Sequence, residues 1–165
     1  GPSPTVVHAT PLEGDDLARL RDGGAIVCAC PTTERDLGDG ILDALGMLRA
    51  GIGVCIGSDS HTLLDAREEL RLLEGHARLR HERRNVLSDP ANGRYRPSEV
   101  LLEWGASVGA RSLGVESGVI EVGARADLLG IDTEAGADLP ANAQAAARAV
   151  DRWLFSTVER ACRLV

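Results

Sequence analysis

Lysine is missing from this chain: all 18 basic side chains are arginine. That excludes Schiff-base catalysis and a phosphate-binding P-loop, both of which need a lysine amine. Aromatic residues are nearly as scarce, at 2% of the chain, so a core has to be built from Leu, Val, Ile and Ala. No apolar run approaches the roughly 18 residues that suggest a membrane span, and no signal-peptide pattern is present. No membrane partner is therefore expected. The net charge of -7 likewise argues against nucleic acid as a partner. The four cysteines, Cys28, Cys30, Cys55 and Cys162, have no second Cys or His pair spaced to complete a zinc site. Cys28 and Cys30 share a strand face and read as small buried hydrophobes in a reducing, cytoplasmic setting.

What is present suits an ordered chain: 165 residues, 44% hydrophobic and 26% charged, is one domain or a piece of a larger one. The sequence opens Gly1-Pro2-Ser3-Pro4 without a methionine and enters a strand-like run at once. It is expected to be either preceded by a cloning scar or the downstream piece of a longer polypeptide.

Three apolar runs, Thr5–Ala9, Ala25–Cys30 and Gly53–Gly57, read as strands. The second is too continuous to be buried on one face only. Helical patterns follow the runs over Glu13–Arg21, Ile41–Leu48 and about Asp65–Arg84, and Pro31 to Gly40 reads as a polar, Gly-bearing loop. Strand–helix repeated three times calls for a parallel sheet with right-handed crossovers. Pro97 opens a further helix to about Gly109. Gly118–Gly123 and Ala126–Asp132 read as two strands joined by a turn, 134–143 as a linker, and Ala145 to about Arg160 as a helix.

Each of the three strands ends in polar residues: His8, then Thr32-Thr33-Glu34, then Asp59 and His61. In parallel α/β architectures, that end of the strand carries the chemistry. A carboxylate there must be solvated, paired or on a metal, so Asp59 is either a functional group or a cap for the next helix. His8 is either a hydrogen-bonded structural residue or a catalytic one, and neighbouring strand ends bring it towards Asp59. His61 is a ligand or a residue that holds its loop. For Glu34, Asp36 and Asp39, beside Gly38 and Gly40, ordinary turn chemistry is the expectation. His76, His81 and the Arg and Glu side chains of the third helix are expected on a solvated face.

Taken together, Val6-Val7-His8-Ala9-Thr10, Cys30-Pro31-Thr32-Thr33-Glu34-x-Asp36-Leu37-Gly38-Asp39-Gly40 and Ile56-Gly57-Ser58-Asp59-Ser60-His61 resemble the amidohydrolase superfamily, and within it the formimidoylglutamate deiminases. Gly118-Val119-Ile120-Glu121-x-Gly123-x-x-Ala126-Asp127-Leu128 continues the similarity at superfamily level. The resemblance implies an α/β fold. Residues 1–113 would supply the last three strand–helix units of a (β/α)8 TIM-type barrel, and 114–165 part of a small β-sandwich with a terminal helix. It implies hydrolysis of N-formimino-L-glutamate to N-formyl-L-glutamate and ammonia, a step of histidine degradation, with one divalent metal, zinc, as cofactor. Asp59 would ligate that metal, take a proton from the attacking water and pass it to the departing amine. His8 would hydrogen-bond the nucleophile.

Pro11 departs from the family, which tends to place a second histidine there. The family's His-x-His pair and its fifth-strand histidine are not found in this sequence. The chain alone is therefore expected to be inactive, needing an N-terminal barrel half or self-association as partner. Two other functions compete: a non-catalytic half-barrel that acts by association, and another amidohydrolase specificity of the guanine or hydroxy-triazine deaminase type.

Overall fold

A computed structural model describes residues 3–60, 64–131 and 142–156, with the backbone of 162–164. Strands β1 (Thr5–Val7), β2 (Ile26–Ala29) and β3 (Gly53–Ile56) form a parallel sheet in chain order, with Val6 beside Val27 and Val27 beside Val54. β2 is the central strand, and Val27 and Ala29 are fully buried, which is why its sequence is apolar without alternation. All three residues of β1 are exposed, and on its outer side β1 has no strand partner among the described residues.

Helix α1 (Asp16–Asp22) joins β1 to β2; α2 (Pro31–Leu37) and α3 (Ala44–Ala50) join β2 to β3; α4 (Ala66–His81) follows β3. The expected three strand–helix units are therefore present, each in the parallel order that a barrel segment requires. Asp65 starts α4 by accepting hydrogen bonds from the backbone N–H groups of Arg67 and Glu68. A single longer helix, α5 (Pro97–Glu103) through a π-helical turn (Trp104–Val108) into α6 (Gly109–Leu113), then packs against β3 and α4. The core joins Val27, Val54, Met47, Leu73, Leu87, Leu101 and Trp104. Leu154 of α7 (Ala143–Phe155) is buried in the same cluster. No helix among the described residues is long and apolar enough to cross a membrane.

Three expectations are corrected here. Residues 31–37, read as loop, are helical. Pro31 occupies the first turn, where its missing N–H is no loss, and Gly38 closes the helix at φ 74°. The strand pair read over 118–132 is not formed. Within the described residues only Leu129–Ile131 (β4) is strand, and it pairs antiparallel with Cys162–Leu164 (β5). Val119, Ile120 and Val122 lie exposed instead. Finally, the face of α4 is not uniformly solvated: Glu69 and Glu74 are buried, each matched by donors. Glu69 accepts from the Thr32 N–H at 3.0 Å and from the Thr32 hydroxyl. Glu74 accepts from the N–H groups of Val86 and Leu87 and from Arg78. His76 is half-buried rather than solvated. The expected linker 134–143 and the helix continuation 157–160 fall largely outside the described residues.

Gly118 shows why the stretch after α6 takes the path it does. Its φ is +84°, and a Cβ there would lie 2.7 Å from the Ala106 backbone of the π turn. Only glycine allows the chain to lie against that turn.

Candidate active site

The C-terminal ends of β1 and β3 deliver His8 and Asp59 to one rim. The His8 N–H is held by the Cys28 carbonyl at 2.8 Å, and the Gly57 N–H by the Ala29 carbonyl at 2.9 Å, so the ladder extends one residue past each strand. The backbone then leaves the β region sharply. His8 (φ 68°), Ala9 (φ 55°) and Asp59 (φ 47°) are all left-handed. For residues with a Cβ this conformation costs on the order of 1 kcal/mol or more each. Such strain survives where the surroundings fix it, and here it aims two polar side chains at a common point.

That point is well defined. His8 Nε2 lies 3.8 Å from Asp59 Oδ2, and His8 Nδ1 lies 3.4 Å from Glu34 Oε1. The imidazole is thus flanked by two carboxylates from two other segments. Their settings differ. Asp59 is 39% exposed, whereas Glu34 is 1% exposed and also accepts the Cys30 N–H at 2.8 Å. Burial pushes the Glu34 carboxyl above the ordinary glutamate range, and the Cys30 N–H and His8 partly offset that. The expectation of turn chemistry for Glu34 is corrected: as the fourth residue of α2 it points inward, to the ring of His8. Pro31 at the first helical position and Gly38 after the last mark the helix in the sequence, but not which of its residues turns inward.

The loops are fastened by neighbours. The Thr33 hydroxyl donates to the Ser58 carbonyl at 3.2 Å, tying the start of α2 to the residue before Asp59. Nearby, Cys28, Cys30 and Cys55 are free thiols, Cys30 and Cys55 buried and Cys28 half-buried. The neighbouring Cys30 thiol and burial push the Cys28 thiol up to about 11, and Cys28 with burial raises Cys55. Cys28 and Cys55 are therefore protonated near neutrality. Gly57 leaves them room, since a Cβ there would meet Cys28 Sγ at 3.1 Å and Cys30 Sγ at 3.3 Å. Thr10 Oγ1, two residues past His8, is buried without a partner among the described residues.

Of the other candidates, Asp36 and Asp39 are exposed, His76 and His81 lie on α4, and His61 lies outside the described residues. Cavities of about 440 Å³ behind Ser58 and about 770 Å³ beside Arg96 are lined by none of His8, Glu34 and Asp59. No group of three metal-ligating side chains occurs among the described residues. Asp59 and His8 offer oxygen and nitrogen donors that suit a borderline divalent ion, but they do not make the three protein ligands a catalytic zinc requires. The pair can exchange protons and hydrogen bonds with a group placed at the rim.

Residues 4–158 match the amidohydrolase family. The chain is 41% identical over 162 residues to the formimidoylglutamate deiminase of Pseudomonas aeruginosa, covering 96% of this chain and 34% of that protein. It is 31% identical to a 5-methylthioadenosine/S-adenosylhomocysteine deaminase of Halobacterium salinarum, covering 79% and 29%. Among solved structures, an amidohydrolase from Brucella melitensis superposes with TM-score 0.78 at 32% identity, covering 92% of this chain and 32% of that one. An adenosine deaminase from Xanthomonas campestris with bound zinc superposes with TM-score 0.69 at 28% identity, covering 79% and 29%. This chain thus spans about a third of the length of the relatives it matches. Strand order and similarity over nearly the whole chain agree that it belongs to the amidohydrolase family.

Proposed function

We propose that this chain supplies the Asp59 side of a deiminase active site that hydrolyses N-formimino-L-glutamate to N-formyl-L-glutamate and ammonia. The observation that carries this reading is the convergence of His8 and Asp59 at one strained rim in a chain 41% identical to a formimidoylglutamate deiminase. Residues 1–113 act as the last three units of a (β/α)8 barrel, and 114–165 as part of an adjoining β-sandwich.

In this reading Asp59 is one ligand of a divalent metal, zinc, which when bound makes the attacking water acidic enough to react near neutrality. Asp59 takes the proton from that water and delivers it to the amidine nitrogen that leaves as ammonia. His8 accepts a hydrogen bond from the attacking O–H through Nε2 and so holds that oxygen in place as the imine carbon becomes tetrahedral. One carboxylate cannot hold the metal, so the remaining ligands come from a complementary barrel portion and the chain alone is inactive.

The test is an ammonia-release assay on formiminoglutamate, 5-methylthioadenosine and guanine, with this chain alone and with a deiminase N-terminal barrel portion co-expressed. Turnover of formiminoglutamate only in the combined sample is expected. Turnover by the chain alone, with stoichiometric zinc, overturns the inactivity. A preference for a purine substrate overturns the specificity and favours the adenosine-type relatives.

A further inference from the structure

His8 faces two carboxylates but, when neutral, carries one N–H. Glu34 Oε1 stands 3.4 Å from Nδ1 and is almost wholly buried, while Asp59 Oδ2 stands 3.8 Å from Nε2 and is 39% exposed. Water can solvate Asp59. Glu34 is too buried for water to serve it as freely, and Oε1 takes protein donors, one of them the Cys30 N–H. A buried acceptor without its donor costs on the order of 1–3 kcal/mol, whereas an exposed one finds water. The single proton therefore belongs on Nδ1.

We infer that Glu34 is the positioning residue of this site: it accepts Nδ1–H from His8, fixes the ring, and leaves the Nε2 lone pair facing Asp59 and the reacting groups. An unconstrained histidine favours the opposite tautomer, with Nε2 protonated. Glu34 therefore reverses an intrinsic preference as well as restraining rotation. The same Glu34 oxygen bonds the Cys30 N–H, so the ring is referenced to the end of β2, and the Thr33 hydroxyl references the Asp59 loop to the same helix turn. One turn of α2 thus aligns both halves of the rim.

The tautomer does not depend on the deiminase reading; its contribution to turnover rests on it. The test uses the 165-residue chain, which has only four histidines. Long-range proton–nitrogen correlation spectra at about pH 9, above the ordinary histidine range near 6.5, report each tautomer, and the His8 signal is assigned by its loss in His8→Gln. Wild type and Glu34→Gln, whose amide oxygen still accepts, should show Nδ1–H. Glu34→Ala, which leaves room for a water on Cys30, should revert to Nε2–H. If Glu34→Ala does not fold, Glu34→Asp, shorter by one methylene, reads the same change. An Nε2–H tautomer in the wild type, or an Nδ1–H tautomer that survives loss of the carboxyl, overturns the inference. In the combined enzyme, Glu34→Ala should lower kcat by about 10- to 100-fold with KM little changed, and Glu34→Gln should keep most of the rate. Absence of formiminoglutamate turnover alongside an Nδ1–H His8 counts against the substrate and not against the positioning role.

Discussion

At the residue scale, the proposed site separates Asp59 and His8, which would touch the reacting groups, from Glu34, which holds the His8 ring. Asp59→Asn keeps size and hydrogen bonding but cannot take a proton. In the combined enzyme it should lower kcat by at least about 100-fold, measured by ammonia release, without unfolding the chain. His76 gives a prediction about stability instead. Burial, with Arg35 nearby on α2, lowers its pKa below the ordinary 6.5. The unfolded chain therefore takes up a proton first as the pH falls. The stability due to neutral His76 is full above about pH 6.5 and is lost as the pH drops through the lower folded value. His76→Gln should flatten the urea midpoint across that window, while an unchanged slope rules out the assignment. Asp59 and His8 were legible in the sequence because each interrupts an apolar run. Glu34 was not, because a seven-residue helix shows no period and its neighbouring glycines resemble a turn.

At the scale of elements, buried carboxylates act as clamps. Glu69 takes both donors of Thr32 and so fastens α4 to the first turn of α2. Glu69→Leu strands those donors and should cost about 2–3 kcal/mol by urea denaturation, with Glu69→Gln recovering much of it. The sequence conceals this role, since Glu68 and Glu69 look like members of a solvated charge ladder. Only packing distinguishes Glu68, which pairs with Arg71 on the same helix, from Glu69, which turns inward. Gly118 is the second element-scale case. Gly118→Ala combines a left-handed φ with a 2.7 Å clash against Ala106, and should cost more than about 2 kcal/mol. Valines and isoleucine between glycines suggested strands over 118–123. Their exposure shows that the run has no sheet to join among the described residues, and strand propensity follows packing rather than preceding it.

At the scale of the whole molecule, the parallel order β1-β2-β3 was readable from the spacing of apolar runs, whereas the β4–β5 pairing was not, because its strands are far apart in sequence. The edge of β1 has a further consequence. Val6 is 37% exposed and Val7 51%, beside backbone groups with no strand partner among the described residues on their outer side. A complementary polypeptide that adds a strand there binds the folded chain and not the unfolded one. Mass action then makes folding and assembly one equilibrium: about 2.7 kcal/mol of added stability at a hundredfold excess over Kd. The melting temperature of this chain should climb with the concentration of the added barrel portion, and its midpoint should become a measure of that affinity.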